Sequence, residues 1–143
     1  MLIREIEALR DVIRIVKHAH PFVIEAMVVL PEHLHAIWKL PEGDADYPMR
    51  WSLLKSGFSR GLEKTELIRA SRLNKRERGI WQRRYWEHQI RDEWDFEKHA
   101  DYIHYNPVKH GYVKRPVDWP FSTFHRYVQT GVLPEHWGQR SCC

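Results

Sequence analysis

Cysteine is almost absent from this chain. The only two, Cys142 and Cys143, are adjacent at the end of the given sequence. They cannot staple a fold and lack the spacing of a metal motif, so a reducing cytoplasm is expected. No run of about 18 apolar residues occurs, so no transmembrane helix is expected. The opening Met1-Leu2-Ile3-Arg4-Glu5-Ile6-Glu7 lacks the basic start and long apolar stretch of a signal peptide. Internal repeats and low-complexity segments are missing too. Charge of one sign is not in large surplus. Lys plus Arg number 23 and Asp plus Glu 19, a net +4 with His neutral. That balance permits a nucleic-acid partner without demanding one.

The 143 residues, 43% of them hydrophobic, suffice for one domain with a real core and are too few for two ordinary ones. Seven tryptophans are many for this length. Most should be core, and some are available as stacking surfaces for bases. Leu2, Ile3, Ile6, Leu9, Ile13 and Val16 recur at helical spacing, which predicts an amphipathic helix over 2–18. Phe22 to Leu30, bounded by Pro21 and Pro31, reads as a strand. His33 to Leu40 reads as a second strand paired back on it. Residues 41–48 form a loop. Met49 to Leu62 reads as a helix with Trp51, Leu53, Leu54 and Phe58 available for its inner face. Residues 84–91 are a candidate third strand. Trp94 to Tyr105 reads as another helix, opened by Asp92 or nearby acids. Residues 112–143 read as an irregular arm with a short helix near Ser122 to Gln129. The order is α-β-β-α-β-α, an α+β chain with an antiparallel sheet covered by helices.

Two constellations carry chemistry. The first is His33-Leu34-His35. In a strand, residues two apart share a face and lie roughly 6.5–7 Å apart, so both imidazoles can reach one cation while Leu34 faces the core. Surface or packed histidines fit the pattern equally, since the chain has ten. The second is Tyr102-Ile103-His104-Tyr105-Asn106-Pro107-Val108. On a continuous helix Tyr102 and Asn106 share a face, a phenol beside a carboxamide. The structural alternative is that Asn106 caps a new short helix with Pro107 at its first position. A residue before proline also avoids helical geometry.

Taken together, these motifs resemble the HUH-class single-tyrosine transposases, and most closely their REP-associated branch. His33-Leu34-His35, after Val28-Val29-Leu30-Pro31, is similar to the paired-histidine motif. Tyr102 to Pro107, followed by Gly111, is similar to the catalytic-helix motif. Trp81-Gln82-Arg83-Arg84-Tyr85-Trp86-Glu87-His88 and Asp118-Trp119-Pro120-Phe121-Ser122-Thr123 extend the resemblance over nearly the whole chain. It implies a single domain, 1–143, with a ferredoxin-like antiparallel sheet and helices on one face. It implies Tyr102 as nucleophile, with Tyr105 as a competing phenol on another face of the helix. His33, His35 and Asn106 would hold Mg²⁺ or Mn²⁺, although imidazole equally suits Zn²⁺ or Fe²⁺. His99, one turn before Tyr102, would orient it or merely pack.

The implied reaction is metal-dependent nicking and joining of single-stranded or hairpin DNA, in the cytoplasm and associated with the nucleoid. A free phenol has a pKa near roughly 10, so its proton must be drawn off by its surroundings. The basic stretch 69–84 fits the same picture. Arg72, Lys75, Arg76, Arg78, Arg83 and Arg84 would bind phosphates and Trp81 would stack a base, the alternative being a solvated loop. The family opens with a strand ahead of the first helix, which this sequence lacks, so exposed sheet edges are expected. Two other readings compete: an inactive hairpin-binding descendant, and a histidine-metal hydrolase, although no His-Glu-x-x-His motif occurs. A monomer and a homodimer are both compatible with these residues.

Overall fold

The computed structural model describes residues 2–66 and 89–138. Their contacts group into two compact units, one formed by 2–23, 31–33 and 39–66, the other by 24–30, 34–38 and 89–138. Of the third strand expected over 84–91, residues 84–88 lie outside the described residues, and 89–91, which are described, are not strand.

The first unit is built on two helices, α1 (Ile6–Ala19) and α2 (Tyr47–Glu66). Leu9, Ile13 and Val16 of α1 are buried, as their spacing predicts. On α2, Leu54 and Phe58 are buried at 1% and 0% exposure, whereas Leu53, expected on the inner face, is exposed. The helices approach closely at Gly57. A Cβ added there would meet Val12 Cγ1 at 2.9 Å, so a side chain at 57 would push the helices apart. The loop before α2 is tied by Arg50, which is 1% exposed. Its guanidinium donates to both Asp44 carboxylate oxygens, at 3.2 and 2.8 Å. It also donates to the carbonyls of His20, Pro21 and Asp46. The buried fork thereby places its donors on acceptors instead of leaving them unmet. In return the guanidinium holds the Asp44 carboxyl down to about 2.

The second unit contains the paired strands, β1 (Val23–Val29) and β2 (Leu34–Lys39), and α3 (Glu93–Lys109), a 3₁₀ turn (Pro116–Asp118) and α4 (Phe124–Gln129). The fold class is α+β, with an antiparallel sheet. Ala26, Val28 and Leu30 of β1, Ile37 of β2 and Ala100 and Ile103 of α3 form one buried cluster. Strand residues two apart share a face. His35 therefore shares the face of Ile37, the face that α3 covers. Leu34, expected to face the core, is half-buried and outside this cluster. The correction has a simple cause: the helix that carries Tyr102 packs on the histidine side of the sheet.

The edge of β1 not used by β2 is covered by the arm, contrary to the expectation of exposed sheet edges. Val29 N–H donates to Phe121 O and Thr123 N–H to Met27 O, both at 2.9 Å, with a bridge between Val28 and Ser122. The Thr123 hydroxyl adds bonds to both backbone groups of Met27. Trp119 Nε1–H donates to Val29 O at 2.9 Å. Three arm residues thus do for this edge what a strand would do, satisfying backbone groups that sheet edges leave open.

Candidate active site

α3 positions the chemistry. Asp92 caps it, its side chain accepting from Asp95 N–H at 2.8 Å, as the acids at this point predict. The helix then runs unbroken past Asn106 and Pro107 to Lys109. Asn106 is therefore not the cap of a new helix. Pro107, inside the last turn, costs the helix the one bond that residue 107 would make to the Ile103 carbonyl, and the helix continues past it. His110 N–H bonds Asn106 O, and Tyr112 N–H bonds Pro107 O, closing the end.

Continuity of α3 puts Tyr102 and Asn106 one turn apart, separated by only about 40° around the axis. Their environments are opposite. Tyr102 is 44% exposed, an unusual place for so large a ring. Asn106 is fully buried, and neither its Oδ1 nor its Nδ2 has a hydrogen-bond partner among the described residues. A buried amide left unmet costs about 1–3 kcal/mol. Such an expense points to a ligand that the carboxamide serves.

His35 lies on the β2 face under α3, its ring 5.6 Å from that of Tyr102 in an edge-on arrangement. His33 falls in the turn ahead of β2 and groups with the first unit. Only His35 of the pair is therefore described beside Tyr102. Among the described residues no group of three or more His, Cys, Asp or Glu side chains could hold a metal ion. A set of imidazoles plus one carboxamide is outside that description. Asn106 fits a hard cation: its neutral amide oxygen is buried, without a hydrogen-bond partner among the described residues, and a turn from the phenol.

His99 turns toward the start of α3. Its Nδ1–H donates to Asp95 O at 2.8 Å and lies 3.0 Å from the Asp95 carboxylate. Tyr105, the competing phenol, packs edge-on against Trp137 at 6.5 Å and is half-buried. One residue was missed in the sequence. Lys109 holds its ammonium 4.8 Å from the centre of the Tyr102 ring. The seven-residue spacing puts both on one face, a signal that was available and went unread. Arg72, Lys75, Arg76, Arg78, Trp81, Arg83 and Arg84 all lie outside the described residues.

No family model matches the chain. An Escherichia coli REP-associated tyrosine transposase is 48% identical over 139 residues, 96% of this chain and 75% of the relative. The chain belongs to the REP-associated tyrosine transposases. A Haemophilus influenzae protein assigned to the same transposases is 50% identical over 120 residues, 83% of this chain and 68% of that one. A solved REP-associated tyrosine transposase, bound to a REP hairpin, superposes with a TM-score of 0.82 at 46% identity. It covers 99% of this chain and 78% of the other.

Proposed function

We propose that the chain nicks and rejoins single-stranded DNA at hairpin-forming repeats, with Tyr102 as the nucleophile. One observation carries the reading. An exposed tyrosine stands one turn from a fully buried asparagine whose carboxamide has no hydrogen-bond partner among the described residues, on one continuous helix of a chain that belongs to the tyrosine transposases. The solved relative's REP hairpin supplies the DNA class. The basic residues of 69–84 would add phosphate contacts. Such a reaction belongs beside the chromosome, in the cytoplasm.

His33, His35 and Asn106 would hold a Mg²⁺ or Mn²⁺. That cation would neutralise the phosphodiester and help align it. The rest falls to the chain's own groups. Tyr102 Oη attacks phosphorus as its proton is drawn off, and the bond to the 3′-oxygen breaks. That oxygen takes up a proton and leaves as a free 3′-hydroxyl. The 5′ end is held as a phosphotyrosine. A second 3′-hydroxyl can then attack the same phosphorus, the P–O bond to Tyr102 breaks, and the phenol is restored. The number of phosphoester bonds is conserved, so no ATP is needed.

Purified protein, Mn²⁺ or Mg²⁺ and hairpin DNA from beside its own gene should yield a slow, protease-sensitive band on a denaturing gel. Tyr102→Phe should abolish it. Hairpin binding with no adduct under any metal would overturn the enzyme reading in favour of a catalytically silent hairpin-binding protein.

A further inference from the structure

α3 presents more than the Tyr102–Asn106 pair. Counted at about 100° per residue, Trp94, Lys98, Tyr102 and Lys109 fall within one stripe of the helix about 80° wide; Tyr105 falls in it too, but is half-buried against Trp137. Trp94, at 70%, is the most exposed large hydrophobic residue among those described. No packing role accounts for that exposure, and an indole left in water at a helix start is a stacking surface to spare. Lys98 holds its ammonium 5.2 Å from the Trp94 ring centre. Lys109 does the same over Tyr102, at 4.8 Å. The stripe therefore repeats one unit twice: an exposed ring with an ammonium poised over it. Eight residues separate the rings, a rise of about 12 Å.

Charge is sorted across the helix. Glu93, Glu97 and Asp101, all exposed, lie on the neighbouring stripe, while both lysines lie with the aromatic rings. A polyanion laid along α3 is attracted to one side and repelled from the other. Ring plus ammonium is the pairing that a nucleotide asks for, base on aromatic face and phosphate on cation. The second ring of the stripe is the candidate nucleophile, so a strand held there ends with a phosphate at Tyr102.

Resting on the reading of Tyr102 as the nucleophile, we infer that the Trp94–Lys98–Tyr102–Lys109 stripe of α3 is a binding track for the single-stranded DNA that flanks the cleaved phosphate, with Trp94 stacking a base. The track explains why a helix otherwise packed on the sheet leaves its bulkiest ring in solvent. It also gives Lys109 a task, receiving the phosphate that approaches Tyr102.

The test uses the full chain carrying Tyr102→Phe, so that binding is read without turnover. Fluorescence anisotropy follows a labelled single-stranded oligonucleotide taken from beside the gene's hairpin. Trp94→Ala should weaken binding about five-fold to a hundred-fold, the range for loss of one stacked base. Trp94→Phe should restore most of the affinity, because any π-face stacks. Lys98→Gln should reduce the slope of log affinity against log salt by about 0.7, one phosphate contact on a single strand. An exposed site makes folding failure easy to detect, since the melting temperature of Trp94→Ala should match the parent.

Unchanged affinity and salt slope in these variants, while the parent with Tyr102 intact forms the DNA adduct, would overturn the track and leave the nicking reading standing. Weakened binding by Trp94→Ala, while the parent with Tyr102 intact forms no adduct, would support the track and overturn the nicking reading. A Trp94-dependent dimer in sedimentation, with DNA binding unaltered, would overturn the track in favour of a self-association face.

Discussion

Arg50 and Asn106 are both buried polar residues on helices, and the chain treats them in opposite ways. In the first unit Arg50 has two carboxylate and three carbonyl bonds. In the second, neither amide atom of Asn106 has a hydrogen-bond partner among the described residues. A satisfied buried group rigidifies a fold, while an unsatisfied one lowers stability and is tolerated where it serves chemistry. The first unit thus spends its buried polarity on holding a loop and two helices. The second keeps a carboxamide in reserve beside an exposed phenol.

Three predictions would break or sharpen that contrast. Asn106→Leu keeps the branching of the side chain and removes the unmet amide. On the proposed reading Asn106 helps hold a cation whose charge stabilisation is worth several kcal/mol, so adduct formation should fall about a hundred-fold or more. The melting temperature should hold or rise, because the buried penalty of about 1–3 kcal/mol is relieved. A fall in stability with adduct formation intact would mean that Asn106 is structural after all. Arg50→Met should do the reverse. It removes the bonds to the carbonyls of His20, Pro21 and Asp46 and frees Asp44, so it should produce a clear fall in melting temperature and denaturant midpoint. Adduct formation at low temperature, per folded molecule, should change far less.

The third prediction concerns His104, 1% exposed, whose Nε2 shares a 2.8 Å hydrogen bond with the Thr123 hydroxyl. Its Nδ1 is buried without a partner among the described residues. Burial first, and then the nearby Arg126, push its pKa down to about 4. The folded value lies below the unfolded one, so the neutral ring is the form that the fold accepts. Its stabilisation is complete above the ordinary histidine value and is lost as pH falls toward about 4. The loss should approach about 3 kcal/mol, read as a falling melting temperature across that window. His104→Gln should flatten the dependence. An equally steep fall in that variant would assign it to other groups.

The sequence made much of this legible because the signals were local. The α1 stripe, the apolar run of β1, the Asp92 cap and the four-residue spacing of Tyr102 and Asn106 all depend on near neighbours. What it hid was long-range or cooperative. That α3 continues through Asn106-Pro107 depends on tertiary support that overrides a local dislike of helix before proline. That the histidine face is the covered face depends on which side of the sheet α3 chooses, since alternation alone does not name the core side. That residues 121–123 cover the edge of β1 depends on contacts over more than ninety residues of chain. Lys109 went unread for a different reason: a lone lysine at a helix end already has a sufficient explanation in the dipole.

The most direct measurement is to digest the protein–DNA adduct and locate the phosphorylated residue by mass spectrometry. The account predicts a nucleotide-bearing peptide in which Tyr102 carries the phosphate, absent from Tyr102→Phe. A peptide modified at Tyr105, the half-buried phenol packed against Trp137, or no covalent peptide at all, would contradict it.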